Sequence, residues 1–298
     1  MFKQILLPLD GSALAETALP AAVTFAKIFS APVTLLHVIE QEAEGEIHHD
    51  RHLTETGEAN SYLKQVAMRF PRPAETHVHS APVADVAKSI VQHASGEFNP
   101  DLIILTAHGK GGLRNLVFGS IAQQVAASGQ TPVLLIKPDQ PESFQLRRIL
   151  VPLDNESIHD AILPTAMELA RLGKAQIDLL CVIPTRGTDS GAHAAAGSFL
   201  PMTASAYLDI AEELAQEHFQ EHLNDFNREG IAATAEVARG DPAQVIVKTA
   251  ERLSTDVILI GTHGRIGMDA FWNRSVTAAV ARRTNVPLLL IPLKNSVP

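Results

Sequence analysis

The sequence predicts an α/β fold made of two tandem copies of one unit, each an open five-stranded parallel sheet flanked by helices. The first observation is a repeated strand and turn, because residues 5–10 (ILLPLD) return as residues 149–154 (ILVPLD). The second is a repeated loop, because Ala107-His108-Gly109 returns as Thr262-His263-Gly264. The third is the alternation of short apolar runs with longer helical patterns, which is typical of parallel strands covered by helices on both faces. Repetition of a strand, a turn and a loop together rarely arises by chance.

Five apolar runs in each copy predict the strands, because they are short, continuous and bounded by turn residues. Those of the first copy are Gln4–Leu9, Val33–Val38, Glu75–Val78, Asp101–Leu105 and Val133–Ile136. Those of the second copy are Arg148–Leu153, Gln176–Ile183, Thr234–Val237, Asp256–Ile260 and Leu288–Ile291.

Three segments in each copy predict helices, because apolar residues recur at helical spacing after a capping residue or within a long amphipathic stretch. The paired segments are Ser12–Phe29 and Glu156–Leu172, Val83–Ala94 and Pro242–Leu253, and Thr56–Phe70 and Ala204–Glu229.

Length and charge limit the class of protein. A chain of 298 residues exceeds the usual single domain, so we expect two domains, residues 1–140 and 146–298, joined by the polar and proline-rich segment 137–143. A net charge of -9 without a basic cluster is a poor match for nucleic acid or an anionic membrane. No apolar run approaches the roughly 20 residues that span a bilayer, and no signal peptide is visible, so a cytoplasmic protein is expected.

The single cysteine is predicted to be structural. Cys181 lies inside the apolar run 177–183, where a buried strand residue is more common than a nucleophile or a metal ligand.

Repeated polar residues follow the predicted strands. Asp10 and Asp154 end the first strand of each copy, and Gly109 and Gly264 come just after the fourth. In open parallel sheets, ligands bind at the carboxyl ends of the strands, next to helix N-termini. An aspartate at a strand end can equally cap the next helix, so that alternative stays open for each aspartate taken alone.

The loop after the fourth strand has the form of an anion-binding loop. It runs from Thr106 through His108-Gly109 to Gly119-Ser120, which opens a helix. Glycine lets the backbone approach a phosphate, and the free amides of a first helix turn favour an anion. The alternative is a helix stop at Gly109 and an ordinary cap at Ser120.

Four segments together resemble the universal stress protein family over nearly the whole chain. They are Pro8-Leu9-Asp10, Leu36-His37-Val38-Ile39, the glycine loop and residues 131–136 (TPVLLI). The resemblance implies two tandem Rossmann-like domains of the adenine nucleotide alpha hydrolase-like type. It also implies an ATP-binding pattern of Gly, two residues, Gly, nine residues, Gly, then Ser or Thr.

Carried over residue by residue, the resemblance implies a nucleotide site in the first copy. Its base and ribose residues would be Pro8, Leu9, Asp10 and Val38, and its phosphate residues Gly109, Gly119, Ser120 and Ile121. Thr106 stands where the pattern has its first glycine, so it would either narrow the pocket or donate a hydroxyl. Lys110 and Arg114 are placed to meet phosphate charge, although such loop residues are more often solvated.

The second copy departs further from the pattern. The corresponding residues are Pro152, Leu153, Asp154, Val182, Gly261, Gly264, Ser275 and Val276. Arg274 replaces the glycine before the serine, and Asp269 adds a negative charge near any triphosphate. We therefore expect nucleotide mainly in the first copy.

Histidines offer weaker signals. The tract His48-His49-Asp50-Arg51-His52 has metal-ligand residue types, but a solvated surface is the stronger interpretation, and no metal site is predicted. His108 and His263 recur without an acid or nucleophile beside them, which favours a role in loop geometry.

The predicted function is a regulatory or stress-response protein that binds ATP, or AMP or ADP, with Mg²⁺ accompanying ATP. Efficient catalysis is not expected, although slow ATP hydrolysis is compatible with the sequence. The alternative is a nucleotide-free interaction module in which Thr106 and Arg274 close both pockets. The resemblance further implies an unidentified protein partner, and pairing through last strands, either within the chain or in a homodimer of tandem chains.

Overall fold

A computed structural model of the chain describes residues 2–41, 46–47, 50–107, 119–128, 131–138, 143–154, 158–185, 201–263 and 275–293. The strands of its first half are β1 Ile5–Pro8, β2 Val33–Glu40, β3 Glu46–Ile47, β4 Asp50–Arg51, β5 Glu75–Val83, β6 Leu102–Thr106 and β7 Val133–Ile136. The helices of that half are α1 Ala13–Glu16, α2 Leu19–Phe29, α3 Thr56–Ala67, α4 Val86–His93 and α5 Ser120–Ala127, with a π-helical turn at Ala94–Phe98.

The second half repeats the pattern. Its strands are β8 Arg148–Leu153, β9 Gln176–Ile183, β10 Ala233–Arg239, β11 Val257–His263 and β12 Leu288–Leu293. Its helices are α6 Leu163–Gly173, α7 Pro201–Arg228, α8 Pro242–Leu253 and α9 Val276–Arg283, with a 3-10 turn His159–Ile162 before α6. All ten predicted strands are therefore present, and the predicted α/β class is confirmed.

Three predicted helices differ from the structure at their first turns. In the predicted segment Glu156–Leu172, a 3-10 turn His159–Ile162 precedes α6, which begins at Leu163. The segment Ser12–Phe29 is divided, because α1 ends at Glu16 and α2 starts anew with Pro20 in its first turn, where proline needs no amide partner. Val83 belongs to β5 rather than to a helix. Helix α4 instead begins after Asp85, whose carboxylate accepts a hydrogen bond from the Lys88 amide at 2.9 Å.

The chain forms two compact units, residues 1–145 with 262–298, and residues 146–261. Packing defines these two units, whereas sequence repetition defines the predicted domains 1–140 and 146–298. The predicted domain boundaries therefore stay a prediction. The first unit holds the strand order β12-β7-β6-β1-β2-β5 and the small β3-β4 hairpin. The second holds the order β10-β9-β8-β11, and all its strand pairs are parallel.

In the first unit, every pair of the large sheet is parallel except β12 with β7. That antiparallel pair places Leu288 opposite Leu135 and Leu290 opposite Val133. The last strand of the second copy therefore covers the last strand of the first, as the sequence suggested for pairing within one chain. The pairing removes an apolar sheet edge that would otherwise invite association.

Burial follows the predicted strands. Ile5, Leu6 and Leu7 of β1 are fully buried, and so are Ile149, Leu150 and Val151 of β8. Continuous burial is expected of parallel strands with covered faces. Cys181 on β9 is buried as predicted, and burial raises the pKa of its thiol to about 11, which disfavours the reactive thiolate.

Asp178 is a buried carboxylate that joins three strands of the second unit. Its side chain on β9 is 2% exposed and accepts hydrogen bonds from Arg148 Nε at 2.7 Å, Gln176 Nε2 at 2.9 Å and Thr234 Oγ1 at 2.7 Å. The hydrogen bond to Asp178 is the main cause that raises the pKa of Arg148. A buried carboxylate is tolerated because charged and neutral donors surround it.

His37 is a buried imidazole that ties β1 to the segment after β4. Its Nδ1 lies 2.7 Å from the Leu9 carbonyl oxygen and its Nε2 lies 2.9 Å from the Leu53 carbonyl oxygen. Burial lowers the pKa of His37, nearby His52 lowers it further, and the two carbonyls and Asp10 oppose the shift. A neutral ring carries one N–H and so donates to one carbonyl at a time.

Asp178→Ala should lower the free energy of unfolding by about 2–4 kcal/mol, because three donors lose their buried acceptor and Arg148 loses its partner. Urea unfolding followed by circular dichroism measures the change. The control is Glu236→Ala, which breaks an exposed ion pair with Arg252 and should cost about 0–1 kcal/mol. Equal losses in the two variants would contradict a structural role for the buried carboxylate.

His37 should make stability depend on pH. Its pKa is lowered in the folded state from an unfolded value near 6.5, so the unfolded chain binds the proton first as the pH falls. The wild type should therefore lose stability between pH 7 and pH 5, down to the folded pKa. His37→Gln should be less stable at pH 7 yet lose less on acidification. Parallel pH profiles from urea unfolding of the two proteins would show the assignment to be wrong.

Candidate functional site

A cavity of about 110 Å³ opens at the carboxyl ends of β1, β2 and β6 in the first unit. One ordered water needs roughly 10–15 Å³ on the same measure, so the cavity has room for a larger guest. It lies where the strand order reverses, because β1 pairs with β2 on one side and with β6 on the other. Ligands bind at this point in open parallel sheets.

Eight residues that the sequence assigned to the first nucleotide site line this one cavity. They are Pro8, Leu9, Asp10, Val38, Thr106, Gly119, Ser120 and Ile121. Two further predicted residues, Gly109 and Lys110, lie outside the described residues, as does Arg114. That the eight bind a nucleotide stays a prediction, but the fold brings them to one place from three strands and a helix.

Other lining residues were missed by the sequence analysis. They are Ala15, Leu36, Glu40, His52, Val86, Ile90, Leu105 and Ala122. Glu40 had the same signal as Asp10, since it is a polar residue at the end of an apolar strand. Val86 and Ile90 lie one turn apart on α4, and only the packing of that helix shows that they contribute to the cavity wall.

Asp10 begins a tight turn at the edge of the cavity. Its Oδ1 accepts hydrogen bonds from the Ser12 amide at 2.9 Å and the Ser12 hydroxyl at 2.6 Å. Ser12 in turn caps α1, because its hydroxyl accepts from the Ala15 amide at 3.0 Å. The helix cap is therefore Ser12, and Asp10 orients that cap while it lines the cavity.

Gly11 allows this turn to pass beneath Leu53. Its φ is +91°, a left-handed conformation that other residues adopt at a cost. A Cβ here would lie 2.5 Å from Leu53 Cγ. The Leu53 amide also donates to the Asp10 carbonyl oxygen at 3.2 Å. The segment around Leu53 is thus held against the Asp10 turn by main-chain bonding and close packing.

Thr106 ends β6 and lines the cavity without filling it. Its hydroxyl donates to the Ala15 carbonyl oxygen at 3.2 Å and lies 3.2 Å from the Thr17 hydroxyl. The threonine thus bonds to α1, and a cavity of about 110 Å³ is present with this side chain in its wall. The expected narrowing at this position does not close the site.

The amino end of α5 faces the cavity with Gly119, Ser120 and Ile121. Helix α5 begins at Ser120, so Ser120 is its first helical residue and not its cap. Gly119 is the cap residue, and glycine has no side chain that could accept from the first-turn amides. Uncapped amides at a helix N-terminus attract anions.

His52 is a buried polar side chain of the cavity wall. It is 8% exposed, and neither ring nitrogen has a hydrogen-bond partner among the described residues. The carboxylate of Glu40 lies close by, with its Oε2 3.8 Å from His52 Nε2. The prediction of a solvated histidine tract is therefore wrong for His52, because the Leu53 segment carries it inward. His48 and His49 lie outside the described residues.

The second set of predicted residues differs in detail. Asp154 is 53% exposed at its side chain, and its Oδ1 lies 2.5 Å from His159 Nδ1. Ser275 caps α9, since its hydroxyl accepts from the Ala278 amide at 3.1 Å, whereas Ser120 does not cap α5. Val276 is 44% exposed. Gly264, Asp269 and Arg274 lie outside the described residues.

The remaining residues of that set are Pro152, Leu153, Val182 and Gly261, which lie on β8, β9 and β11. These four residues belong to one compact unit, whereas Ser275 and Val276 belong to the other.

Among the helices that the structure describes, none combines the length and apolar character needed to cross a membrane.

Comparison with known proteins identifies relatives of the chain. The model of the universal stress protein family matches residues 1–137 and again residues 145–292. Universal stress protein MJ0531 of Methanocaldococcus jannaschii is 30% identical over 151 residues, which are 48% of this chain and 86% of that protein. Universal stress protein Rv2623 of Mycobacterium tuberculosis is 24% identical over 304 residues, which are 96% of this chain and 95% of that protein.

A solved structure has the same fold. The universal stress protein from Archaeoglobus fulgidus matches with a TM-score of 0.71 at 20% identity, over 98% of this chain and 97% of that one. Because the family model matches both copies and nearly the whole length, the chain belongs to the universal stress protein family, with two family domains in tandem.

Proposed function

We propose that this chain binds ATP or a related adenine nucleotide in the cavity of its first copy and acts in regulation of a stress response. The observation that carries the proposal is the convergence of Asp10, Thr106 and Ser120, with five further predicted residues, on one cavity at the switch in strand order. The resemblance to the family implied these residues from the sequence.

The phosphate groups would meet the amino end of α5. Its cap residue Gly119 has no side chain to accept from the first-turn amides, and the helix dipole adds partial positive charge there. The absence of a Cβ at Gly119 lets the backbone approach an oxygen closely. Asp10 and Glu40 are acidic, so phosphates would lie at the α5 side of the cavity and away from these carboxylates.

The base and ribose would lie at the opposite side. Pro8, Leu9, Leu36 and Val38 offer an apolar surface on which a flat base can pack. Asp10 is placed to accept a hydrogen bond from a ribose hydroxyl. Neither ring nitrogen of buried His52 has a hydrogen-bond partner among the described residues, and burial of such a polar group is costly unless a guest or water bonds to it.

The first copy is favoured over the second because eight of its predicted residues line one cavity and the cap residue of its phosphate-side helix has no side chain. Ser120 does not cap its helix, whereas Ser275 does. Asp10 bonds to Ser12 within its turn, whereas Asp154 pairs with a histidine. Mg²⁺ accompanying ATP, a cytoplasmic location, an unidentified protein partner and a homodimer of tandem chains are part of the same proposal. Turnover is expected to be slow or absent.

Purified protein should release an adenine nucleotide on denaturation, and calorimetry of the emptied protein should show ATP binding. Asp10→Ala should weaken that binding about tenfold to hundredfold, because a hydrogen bond to a charged group is worth about 1.5–3 kcal/mol. The control is Asp101→Ala, since Asp101 binds the Lys3 amide at the amino end of β6.

An empty supernatant, together with no heat on ATP addition, would refute nucleotide binding and favour the nucleotide-free interaction module. Rapid ATP turnover that Asp10→Ala abolishes would refute the regulatory role and favour an enzyme.

His52→Phe should weaken ATP binding about threefold to tenfold while the fold is retained, because one buried hydrogen bond contributes about 0.5–1.5 kcal/mol. Calorimetry measures the affinity and thermal melting checks the fold. His79→Phe is the matched control, since His79 lies on β5 against His93 and does not line the cavity. Unchanged affinity in His52→Phe would show that the buried imidazole does not contact the nucleotide.

A further inference from the structure

Three side chains of the second unit converge on one point outside the nucleotide cavity. His218 and His222 lie one turn apart on α7, and Asp160 lies on the 3-10 turn before α6. All three are partly buried, with side chains that are 25%, 16% and 20% exposed. Two histidines at this helical spacing present both rings on one helix face, an arrangement that metal sites use.

The distances among the three side chains are those of a metal site. His218 Nε2 lies 3.1 Å from Asp160 Oδ1, and His222 Nε2 lies 3.5 Å from the same oxygen. The two Nε2 atoms are 3.2 Å apart. Tetrahedral Zn²⁺ with bonds of about 2.0–2.1 Å holds its ligand atoms about 3.3 Å apart. The three atoms already form one face of such a tetrahedron.

Hydrogen bonds among the three side chains do not account well for how close their atoms lie. An imidazole nitrogen carries either a proton or a lone pair, so it is either a donor or an acceptor. If both Nε2 atoms are protonated to reach Asp160, two N–H groups face each other at 3.2 Å. If only one is protonated, its single hydrogen must serve both the carboxylate and the other ring. A cation would satisfy all three lone pairs at once.

We propose that Asp160, His218 and His222 bind a divalent transition-metal cation, with Zn²⁺ as the best match. Neutral imidazoles with a carboxylate suit Zn²⁺, whereas Ca²⁺ and Mg²⁺ prefer six or more oxygen ligands. The fourth position would be held by water, since the side chains are partly open to solvent. The cation would join α7 to the turn that follows Asp154, and so stabilise the second unit.

A second histidine group meets the requirements less well. His93 Nδ1 lies 2.9 Å from Glu97 Oε2, and His77 Nδ1 lies 3.7 Å from the other oxygen, Oε1. The remaining nitrogen of His93 already lies 3.0 Å from His79 Nδ1. In this group the two histidines face different oxygens of Glu97, so it matches a tetrahedral Zn²⁺ site less closely and provides a comparison.

The sequence predicted no metal site, and none of these three residues belongs to the histidine tract at His48–His52. Asp160 is far from the two histidines in sequence, so only the packing of α7 on the 3-10 turn reveals the set. The inference is independent of the proposed nucleotide function, because the three residues lie in the second unit and do not line the cavity.

The test uses full-length protein without a histidine tag, stripped of metal by a chelator. Co²⁺ titration followed by visible absorption reports tetrahedral coordination, and Zn²⁺ titration by calorimetry gives the affinity. The variants are His222→Gln and the nearly isosteric Asp160→Asn, with His93→Gln as the control. Circular dichroism and thermal melting without metal check that each variant is folded.

Wild type and His93→Gln should bind one equivalent of Co²⁺ with a tetrahedral spectrum that Zn²⁺ displaces, and Zn²⁺ should raise their melting temperature. His222→Gln and Asp160→Asn should bind Zn²⁺ at least about tenfold more weakly, because even loss of an outer-shell partner costs that much. Wild type without measurable Zn²⁺ binding, or either ligand variant with wild-type affinity, would overturn the proposal. Should His222→Gln fail to fold, Asp160→Asn decides.

Discussion

The parallel pairing of β1 with β2 on one side and β6 on the other is the constraint on which the site depends. Ile5 is in register with Val33 of β2 and with Leu102 of β6, and Ile5 is fully buried. Because parallel strands end at the same sheet edge, this pairing brings Asp10, Glu40 and Thr106 to one cavity. The apolar strands thus stabilise the fold and align the polar residues that follow them.

A small set of polar contacts then shapes that edge. His37 joins the Leu9 and Leu53 carbonyls, and the Leu53 amide bonds to Asp10. Gly11 leaves the space that Leu53 occupies. These contacts hold the segment that carries His52 over the cavity. The site is therefore built from one rigid sheet edge and one segment that is tied to it.

The two copies show how a repeated unit can diverge while its strands stay alike. Their first strands keep nearly the same sequence, but Ser12 bonds to Asp10 where His159 pairs with Asp154. Ser275 caps its helix where Gly119 occupies the cap position in the first copy. The second copy carries instead the cluster of Asp160, His218 and His222. Its polar groups are arranged for different contacts, although its backbone follows the same plan.

The sequence by itself determined the α/β class, the tandem copies, all ten strands and half of the residues that line the cavity, because buried parallel strands need continuous apolar runs and their ends recur as polar motifs. Tertiary structure alone decided the rest. It turned His52 inward, decided between the two expected ways of pairing the last strands by joining β12 to β7 within the chain, gave the cap of α5 to Gly119 and brought Asp160 to α7. These features depend on contacts between residues distant in the chain, which local patterns do not encode.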